Sequence, residues 1–320
     1  MKTICFWLQH VGERGMCIAT YDYAYYNESL LHNKSVVLYN RDDTTNDTVV
    51  IEKFASRFEV YACSISEIDE YVSRCNGDAI YILKHGRRDA LCNIKTPTLV
   101  HSVFDCSEPH GSIYACVSPD VYNSHNAVVV PHMINLPEVD SCLREKYNIP
   151  PTAVVFGRHG GYDQFNVEYV QKAVFEIASA YPDIYFLFLH TRPFCDPLPN
   201  IIHIEKTIDL YEKTEFINTC DAMIWGRSGG ETFGLSIGEF SSRNKPVFCA
   251  DMGARAHITI LGDKAILYDK TNLHDKMIEF SNKVNERKHN NMVDTTDWNA
   301  FRAYTPEKVM SRFNQVFLQD

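Results

Sequence analysis

The sequence predicts an α/β protein of two domains, each built on a parallel sheet, and three observations predict it. Short apolar runs alternate with helical stretches along the whole chain, the pattern of parallel strands covered by helices on both faces. The alternation breaks at Asn135-Leu-Pro-Glu-Val-Asp140 and again at the tandem prolines of Asn148-Ile-Pro-Pro151, which stop helices and stiffen a connection. The chain also has 320 residues, of which 45% are hydrophobic and 22% charged, enough for one large α/β unit or two domains with substantial cores.

The elements follow in order. Strands are expected at Thr3–Leu8, Ser35–Tyr39, Phe58–Ala62, Asp78–Lys84, Thr98–Phe104, Ile113–Ser118 and Ala127–Pro131. Helices are expected at Gly12–Leu31, Val49–Arg57 and Ser66–Cys75. After the break the pattern restarts. Ala153–Phe156, Asp183–His190, Ile201–Ile204, Asp221–Gly226, Pro246–Ala250 and Ala265–Tyr268 read as strands, and Asn166–Ala180, Asp209–Thr219 and Leu273–Glu286 as helices. Thr305–Leu318 carries proline at its first helical position and apolar residues at Val309, Met310, Phe313, Val316 and Phe317, so it reads as an amphipathic closing helix. The domains expected are 1–140, 141–300 and a terminal segment 301–320.

The formal charge of −10 is spread out, with 13 Lys/Arg against 19 Asp/Glu in residues 1–150 and 18 against 22 in 151–320. No basic stripe is present, which argues against a nucleic-acid partner. Eleven cysteines form no C-x-x-C pair, and Cys5, Cys63, Cys116 and Cys249 fall in apolar runs. A reduced cysteine packs there as a small hydrophobe, pointing to a reducing compartment. The first ten residues read as a strand rather than a leader, and no run has the length of a membrane span. The expectation is a cytoplasmic protein, monomeric or weakly oligomeric, without a transmembrane segment.

Glu231 and Glu239 are the most informative pair. They lie eight positions apart in a glycine-rich run that opens a short helix between two apolar strands. Eight helical steps are about two turns plus 80°, so both carboxylates could face one cleft; the alternative is two solvated surface glutamates. Gly157-Arg158-His159-Gly160-Gly161 follows a strand, where Arg158 either meets a diphosphate or forms a surface pair. Gly226-Arg227-Ser228-Gly229-Gly230 offers a second arginine, with backbone N–H groups free to cradle oxyanions ahead of a helix N-terminus. Arg192 is a third cation, as readily a loop charge.

In the first half, Gln9-His10-Val-Gly12-Glu13-Arg14-Gly15 joins the first strand to the first helix without making a dinucleotide fingerprint. His101 ends a strand, on the ligand side of a parallel sheet or buried as a structural histidine, and His110 lies in a nearby turn. No His/Cys cluster has metal-ligand spacing and no G-x-S-x-G occurs, so neither a metal site nor an α/β-hydrolase is supported.

Taken together these pieces resemble retaining glycosyltransferases of the GT-B fold, in the family-4-like group, over nearly the whole chain and most strongly over 142–251. The carriers are Cys142–Pro150 with Val154-Val-Phe-Gly-Arg158, then Leu210-Tyr-Glu-Lys213, Cys220-Asp-Ala-Met-Ile224, Ser228-Gly-Gly-Glu-Thr-Phe-Gly-Leu235, Glu239 and Asn244-Lys-Pro-Val247. Glu231 and Glu239 fill the E-x7-E signature. The resemblance implies two Rossmann-like domains whose parallel sheets face an interdomain cleft, with the C-terminal helix crossing back to the first domain. It implies a UDP- or GDP-sugar donor as substrate, a glycan or other hydroxyl acceptor, and no cofactor or metal.

Carried over, Glu231, His101 and Arg158 are the catalytic residues. Arg158, Arg227, Ser228, Gly230, Thr232, Phe233, Gly234 and Glu239 bind the donor, Glu239 through the ribose hydroxyls. His10, Gly12, Glu13, Arg14 and His110 lie on the acceptor side. The position where the family has lysine, about five residues past Arg158, holds Asp163, so Arg192 or Arg227 substitutes or Asp163 points away. A nucleotide-sugar 2-epimerase of the same fold, and a catalytically degenerate sugar-nucleotide binder, are the alternatives.

Overall fold

The computed structural model describes residues 1–319. The chain divides into two units, Met1–Met133 together with the segment from Tyr304 onward, and Ile134–Ala303.

The first unit is built on a seven-stranded sheet. Its strands are β1 (Thr3–Leu8), β2 (Lys34–Asn40), β3 (Glu59–Cys63), β4 (Ala79–Lys84), β5 (Thr98–Ser102), β6 (Ile113–Cys116) and β7 (Val128–Val129), in the order β3-β2-β1-β4-β5-β6-β7. Every pairing is parallel. Helices α1 (Gly15–Ser29), α2 (Thr48–Ala55) and α3 (Ile68–Arg74) make the early crossovers. β4 is buried along its whole length, as a central parallel strand covered on both faces must be. One core layer gathers Cys5, Trp7, Val36, Leu38, Ile68, Val72, Ile80 and Ile82.

The second unit repeats the plan. Its strands are β8 (Val154–His159), β9 (Ile184–Leu189), β10 (Ile201–Ile204), β11 (Ala222–Ile224), β12 (Gly230–Glu231), β13 (Val247–Cys249), β14 (Ala254–Arg255) and β15 (Ala265–Leu267). Six form a parallel sheet in the order β10-β9-β8-β11-β13-β15, while β12 and β14 pair only with each other. The helices are α4 (Glu168–Ala180), α5 (Leu210–Thr219), α6 (Leu235–Ser242), α7 (Ala256–Leu261) and α8 (Leu273–His289). Asp221, just before β11, staples this unit: its Oδ2 accepts from Arg144, Lys288 and the Val155 N–H at 2.8–3.0 Å.

The terminal segment belongs to the first unit. α9 (Pro306–Phe313) begins at proline and runs into a π-helical turn at Asn314–Leu318 rather than remaining α-helical throughout. Phe313 stacks on Tyr23 of α1 at 5.2 Å, and Phe317 meets Tyr81 edge-on at 5.7 Å.

All eleven cysteines are free. Most are buried, and Cys92 and Cys142 are exposed. Among the described residues no helix is long and apolar enough to cross a membrane.

Candidate functional site

In the second sheet the chain leaves β8 towards β9 on one side and reaches β11 on the other. That reversal opens a crevice at the carboxyl ends of β8 and β11, where open parallel sheets take their ligands. The loops that follow these two strands hold the residues of interest.

Arg158, the penultimate residue of β8, is 5% exposed. Its Nη1 donates to Thr191 Oγ1 at 2.5 Å and its Nη2 to the Gly161 carbonyl at 3.0 Å. Burial pulls its pKa down to about 10, Glu231 pulls upward and Arg227 adds to the lowering, so the guanidinium stays charged at neutral pH. Glu231 follows the second glycine turn. Its Oε1 accepts from Trp225 Nε1 at 3.1 Å and its Oε2 from Arg227 Nη1 at 2.8 Å. Two cations and a fixed carboxylate are therefore assembled at the crevice.

The turn that carries Glu231 is locked by backbone packing. Gly230 has φ +66°, and a Cβ there would lie 2.2 Å from the Ala254 carbonyl oxygen and 2.3 Å from its nitrogen. This close approach allows β12 to pair with β14, Gly230 against Ala254 and Glu231 against Arg255. Ser228 is exposed, and its N–H is taken by Asn166 Oδ1 at 2.9 Å. Thr232 and Phe233 lead to Gly234, the left-handed N-cap of α6 at φ +89°. The Phe233 ring is in the core against Phe301, so only its backbone bears on the crevice.

The two glutamates do not share a helix, as the eight-residue spacing suggested. Glu231 precedes α6 in β12, while Glu239 sits inside α6 and turns into the protein. Glu239 Oε1 meets Lys213 Nζ at 2.6 Å, and Oε2 lies 3.0 Å from His159 Nε2, off the line of a hydrogen bond. Burial pushes this carboxyl up, but Lys213 and then His159 outweigh it and hold it at about 2. Glu239 thus holds Lys213 through Oε1, while Oε2 has no hydrogen-bond partner among the described residues. Asp163 pairs with Arg192 at 2.7 Å on the exposed surface.

Four residues of this site escape a reading by motif. Trp225 holds Glu231, and His257 stacks on Trp225 at 4.7 Å while its Nε2 lies 3.1 Å from the Ala250 carbonyl. Lys213 and His159 engage Glu239. A tryptophan directly after β11 was the available signal for the first pair. The glycine turn itself contains His159, but nothing local reveals that its ring faces α5 and α6.

In the first unit, His10, Gly12, Glu13 and Arg14 lie in the loop after β1, beside the reversal between β1 and β4. His10 Nδ1 meets Thr45 Oγ1 at 2.9 Å, the Gly12 N–H donates to Cys17 Sγ, and Arg14 is the N-cap of α1. Two other histidines are placed differently from the expectation. His101 is wholly buried, with Nδ1 2.7 Å from Tyr81 Oη and Nε2 2.8 Å from the Val130 carbonyl, so it has no ring atom left for a substrate. His110 is largely buried and is held by the Glu108 carbonyl and by Lys84 Nζ.

His101 carries a stability consequence. Burial depresses its pKa from 6.5 to about 4, so the folded state favours the neutral ring. Its contribution is fully present above pH 6.5 and is lost as pH falls towards 4. The loss is about 3 kcal/mol across that window. Denaturant titrations at pH 7 and pH 4 should show this decline, and His101→Asn should flatten it; an unchanged slope would contradict the assignment.

No family model and no curated protein sequence matches the chain. Solved structures do. The Anabaena protein HepE (Alr3699), solved with UDP-glucose, is similar with a TM-score of 0.65 at 13% identity over 99% of this chain and 96% of that one. The sucrose-phosphate synthase of Thermosynechococcus elongatus gives 0.70 at 11% identity, covering 99% and 98%. A Listeria monocytogenes structure reported as a candidate UDP-N-acetylglucosamine 2-epimerase gives 0.60 at 12%, covering 99% and 97%. At these identities the likeness establishes the fold: two Rossmann-like α/β domains of the GT-B type.

Proposed function

We propose that the protein is a retaining, family-4-like glycosyltransferase that moves a sugar from a UDP- or GDP-sugar to a hydroxyl of a glycan or other acceptor. The single observation that carries the reading is the assembly of Arg158, Arg227 and Glu231 at the carboxyl ends of β8 and β11. A buried guanidinium already oriented by Thr191 needs no reorganisation to stabilise charge developing on a leaving diphosphate. Arg227, the Ser228–Gly230 turn and the backbone N–H groups of Thr232, Phe233 and Gly234 meet donor oxygens, aided by the positive end of α6. Glu231, fixed at both oxygens, receives the sugar hydroxyls. Bond cleavage gives an oxocarbenium-like ion pair, and the departing phosphate takes the acceptor proton on the same face, so configuration is retained. Neither a metal nor a further cofactor has a role. The acceptor meets the His10–Arg14 loop of the first unit, and His101 and His110 take no part in the chemistry.

A thermal-shift screen of UDP, GDP and ADP sugars tests this directly. Ligand at a hundredfold excess over Kd stabilises the folded state by about 2.7 kcal/mol, which a melting curve resolves. No shift with any of them sinks the proposal. Once a donor is found, Glu231→Ala should cut turnover more than about tenfold while the bare nucleotide still binds. Likeness to the Listeria structure keeps 2-epimerisation as a second reading. Incubation with UDP-N-acetylglucosamine and no acceptor separates the two, since only epimerisation proceeds.

A further inference from the structure

Two buried thiols of the first unit, Cys106 and Cys116, lie against each other. β5 and β6 pair in register with Ser102 opposite Cys116, so these two side chains share one face of the sheet, with Tyr114 two residues earlier on the same face. The chain leaving β5 folds back over that face. The Asp105 carbonyl accepts from Ser102 Oγ at 2.7 Å and from Tyr114 Oη at 3.0 Å, and Cys106 is the next residue. Its N–H is held by the Tyr122 carbonyl at 2.7 Å, where Asp105 bridges to Tyr122. The Cys106 sulfur thereby meets the Cys116 thiol, which donates to it, and the Ser102 and Tyr114 hydroxyls reach it as well. Cys116 Sγ also lies 3.3 Å from the Ser118 carbonyl, so its one proton is shared between two acceptors.

This contact separates the pair from the other buried thiols. The hydrogen bond from Cys116 lowers the Cys106 pKa, burial opposes it, and Ser102 and Tyr114 add to the lowering. The same bond pushes Cys116 up. One proton of the pair therefore leaves more readily than that of a lone buried thiol, and the charge rests on Cys106. At Cys5, Cys63, Cys220 and Cys249, burial is the foremost cause and pushes each thiol up. Cys106 is 4% exposed and Cys116 is fully buried, which closes the pair to bulky reagents. Hydrogen peroxide is little larger than water. An acidic thiol beside a second thiol is the arrangement of an attacking and a resolving cysteine.

We propose that Cys106 and Cys116 are a peroxide-responsive dithiol, which closes reversibly to a disulfide just past the carboxyl ends of β5 and β6. In the first step the Cys106 thiolate attacks one peroxide oxygen and the O–O bond breaks. The departing hydroxide takes up the proton that Cys106 released and leaves as water, so Cys106 becomes a sulfenic acid. In the second step the Cys116 sulfur attacks the Cys106 sulfur and the S–O bond breaks. The Cys116 proton leaves with the hydroxide as a second water, and the S–S bond forms. Two thiols are oxidised and one hydrogen peroxide is reduced to two waters. A small-molecule thiol reverses the change by exchange. The reaction uses none of the residues of the sugar-nucleotide reading and stands apart from it.

The experiment takes the full chain, reduced and freed of reductant, and exposes it to a slight molar excess of hydrogen peroxide at neutral pH. Denaturation, alkylation and peptide mapping by mass spectrometry follow. Expected is a linked Cys106–Cys116 peptide pair, two hydrogens lighter than its separate halves and restored to thiols by dithiothreitol. Cys106 should be consumed at least about tenfold faster than Cys63, whose thiol is held up by burial. In Cys116→Ser the sulfenic acid has no resolving partner, so dimedone should capture it at Cys106. In Cys106→Ser, Cys116 should stay reduced. Survival of Cys106 and Cys116 as thiols while the exposed Cys92 and Cys142 oxidise would overturn the proposal. Advance of Cys106 to a sulfinic acid with no linked peptide would overturn it too. If a serine variant does not fold, the wild-type peptide map decides alone.

Discussion

Arg158→Ala is expected to lower kcat/KM for sugar transfer by about 10²–10³-fold, the usual cost of removing one oriented donor from a developing oxyanion. The chain of reasons begins with burial. Arg158 lies at the end of β8 with two of its donor nitrogens already engaged by Thr191 Oγ1 and the Gly161 carbonyl, so its direction is set before a ligand arrives. Its pKa, though drawn down to about 10 by burial, keeps it cationic throughout the neutral range. Truncation removes the charge and strips the buried Thr191 Oγ1 of its donor, which costs about 1–3 kcal/mol of stability, while the Gly161 carbonyl keeps the Gln164 N–H at 3.0 Å. Lysine should not rescue the activity, because a single ammonium cannot reproduce the planar fork that spans both partners. Steady-state kinetics with the donor identified by thermal shift, set beside melting curves, separates the two losses. An Arg158→Ala variant that melts lower but turns over normally would remove Arg158 from the chemistry.

Gly230→Ala should destabilise the protein by about 4 kcal/mol, combining the strain of a left-handed residue with overpacking against a neighbouring backbone. The new methyl group would meet the Ala254 oxygen and nitrogen and the Met252 oxygen, all within 2.4 Å. None of these is the end of a flexible side chain, so the β12–β14 pair must separate. Glu231 is the other residue of β12, and its separation from Arg255 would release the carboxylate from its fixed direction. Denaturant melts and nucleotide-sugar turnover should fall together. A stable variant with normal turnover would show that the pairing is dispensable.

Much of this architecture was legible in the sequence. The runs at Thr3–Leu8 and Ile201–Ile204 are strands with those same bounds; for the central β1, burial on both faces writes a near-continuous apolar signature, while β10 is a half-buried edge strand marked by its isoleucines. The predicted helix ends drift by a few residues. α1 starts at Gly15 rather than Gly12, and α8 continues to His289 through a stretch too polar to look helical. The two-residue strands β12 and β14 and the short α7 carry no pattern at all. Their pairing depends on two glycine-bearing loops meeting in space, which local sequence does not encode.

The site was legible in the same uneven way. Arg158, Arg227 and Glu231 stood out because glycine turns after strands point their residues at the crevice. Glu239 stood out for its spacing, but periodicity assigns a face only to residues inside one helix, and Glu231 lies outside α6. Lys213 was part of a recognisable segment, yet its reach to Glu239 crosses from α5 to α6. His101 ended a strand as expected. What the linear pattern could not convey was the closure over it by Tyr81, the Val130 carbonyl and Phe317.

The distribution of thiols has a practical outcome. Nine of the eleven cysteines are buried or half-buried, and the two exposed ones fall on different units, Cys92 on the first and Cys142 on the second. A maleimide dye applied at stoichiometric amounts should therefore react at one position per unit, with no engineered cysteine and no removal of native ones. The natural chain thus comes with a donor–acceptor labelling pair for single-molecule energy transfer, able to report whether a sugar nucleotide changes the separation of the two units.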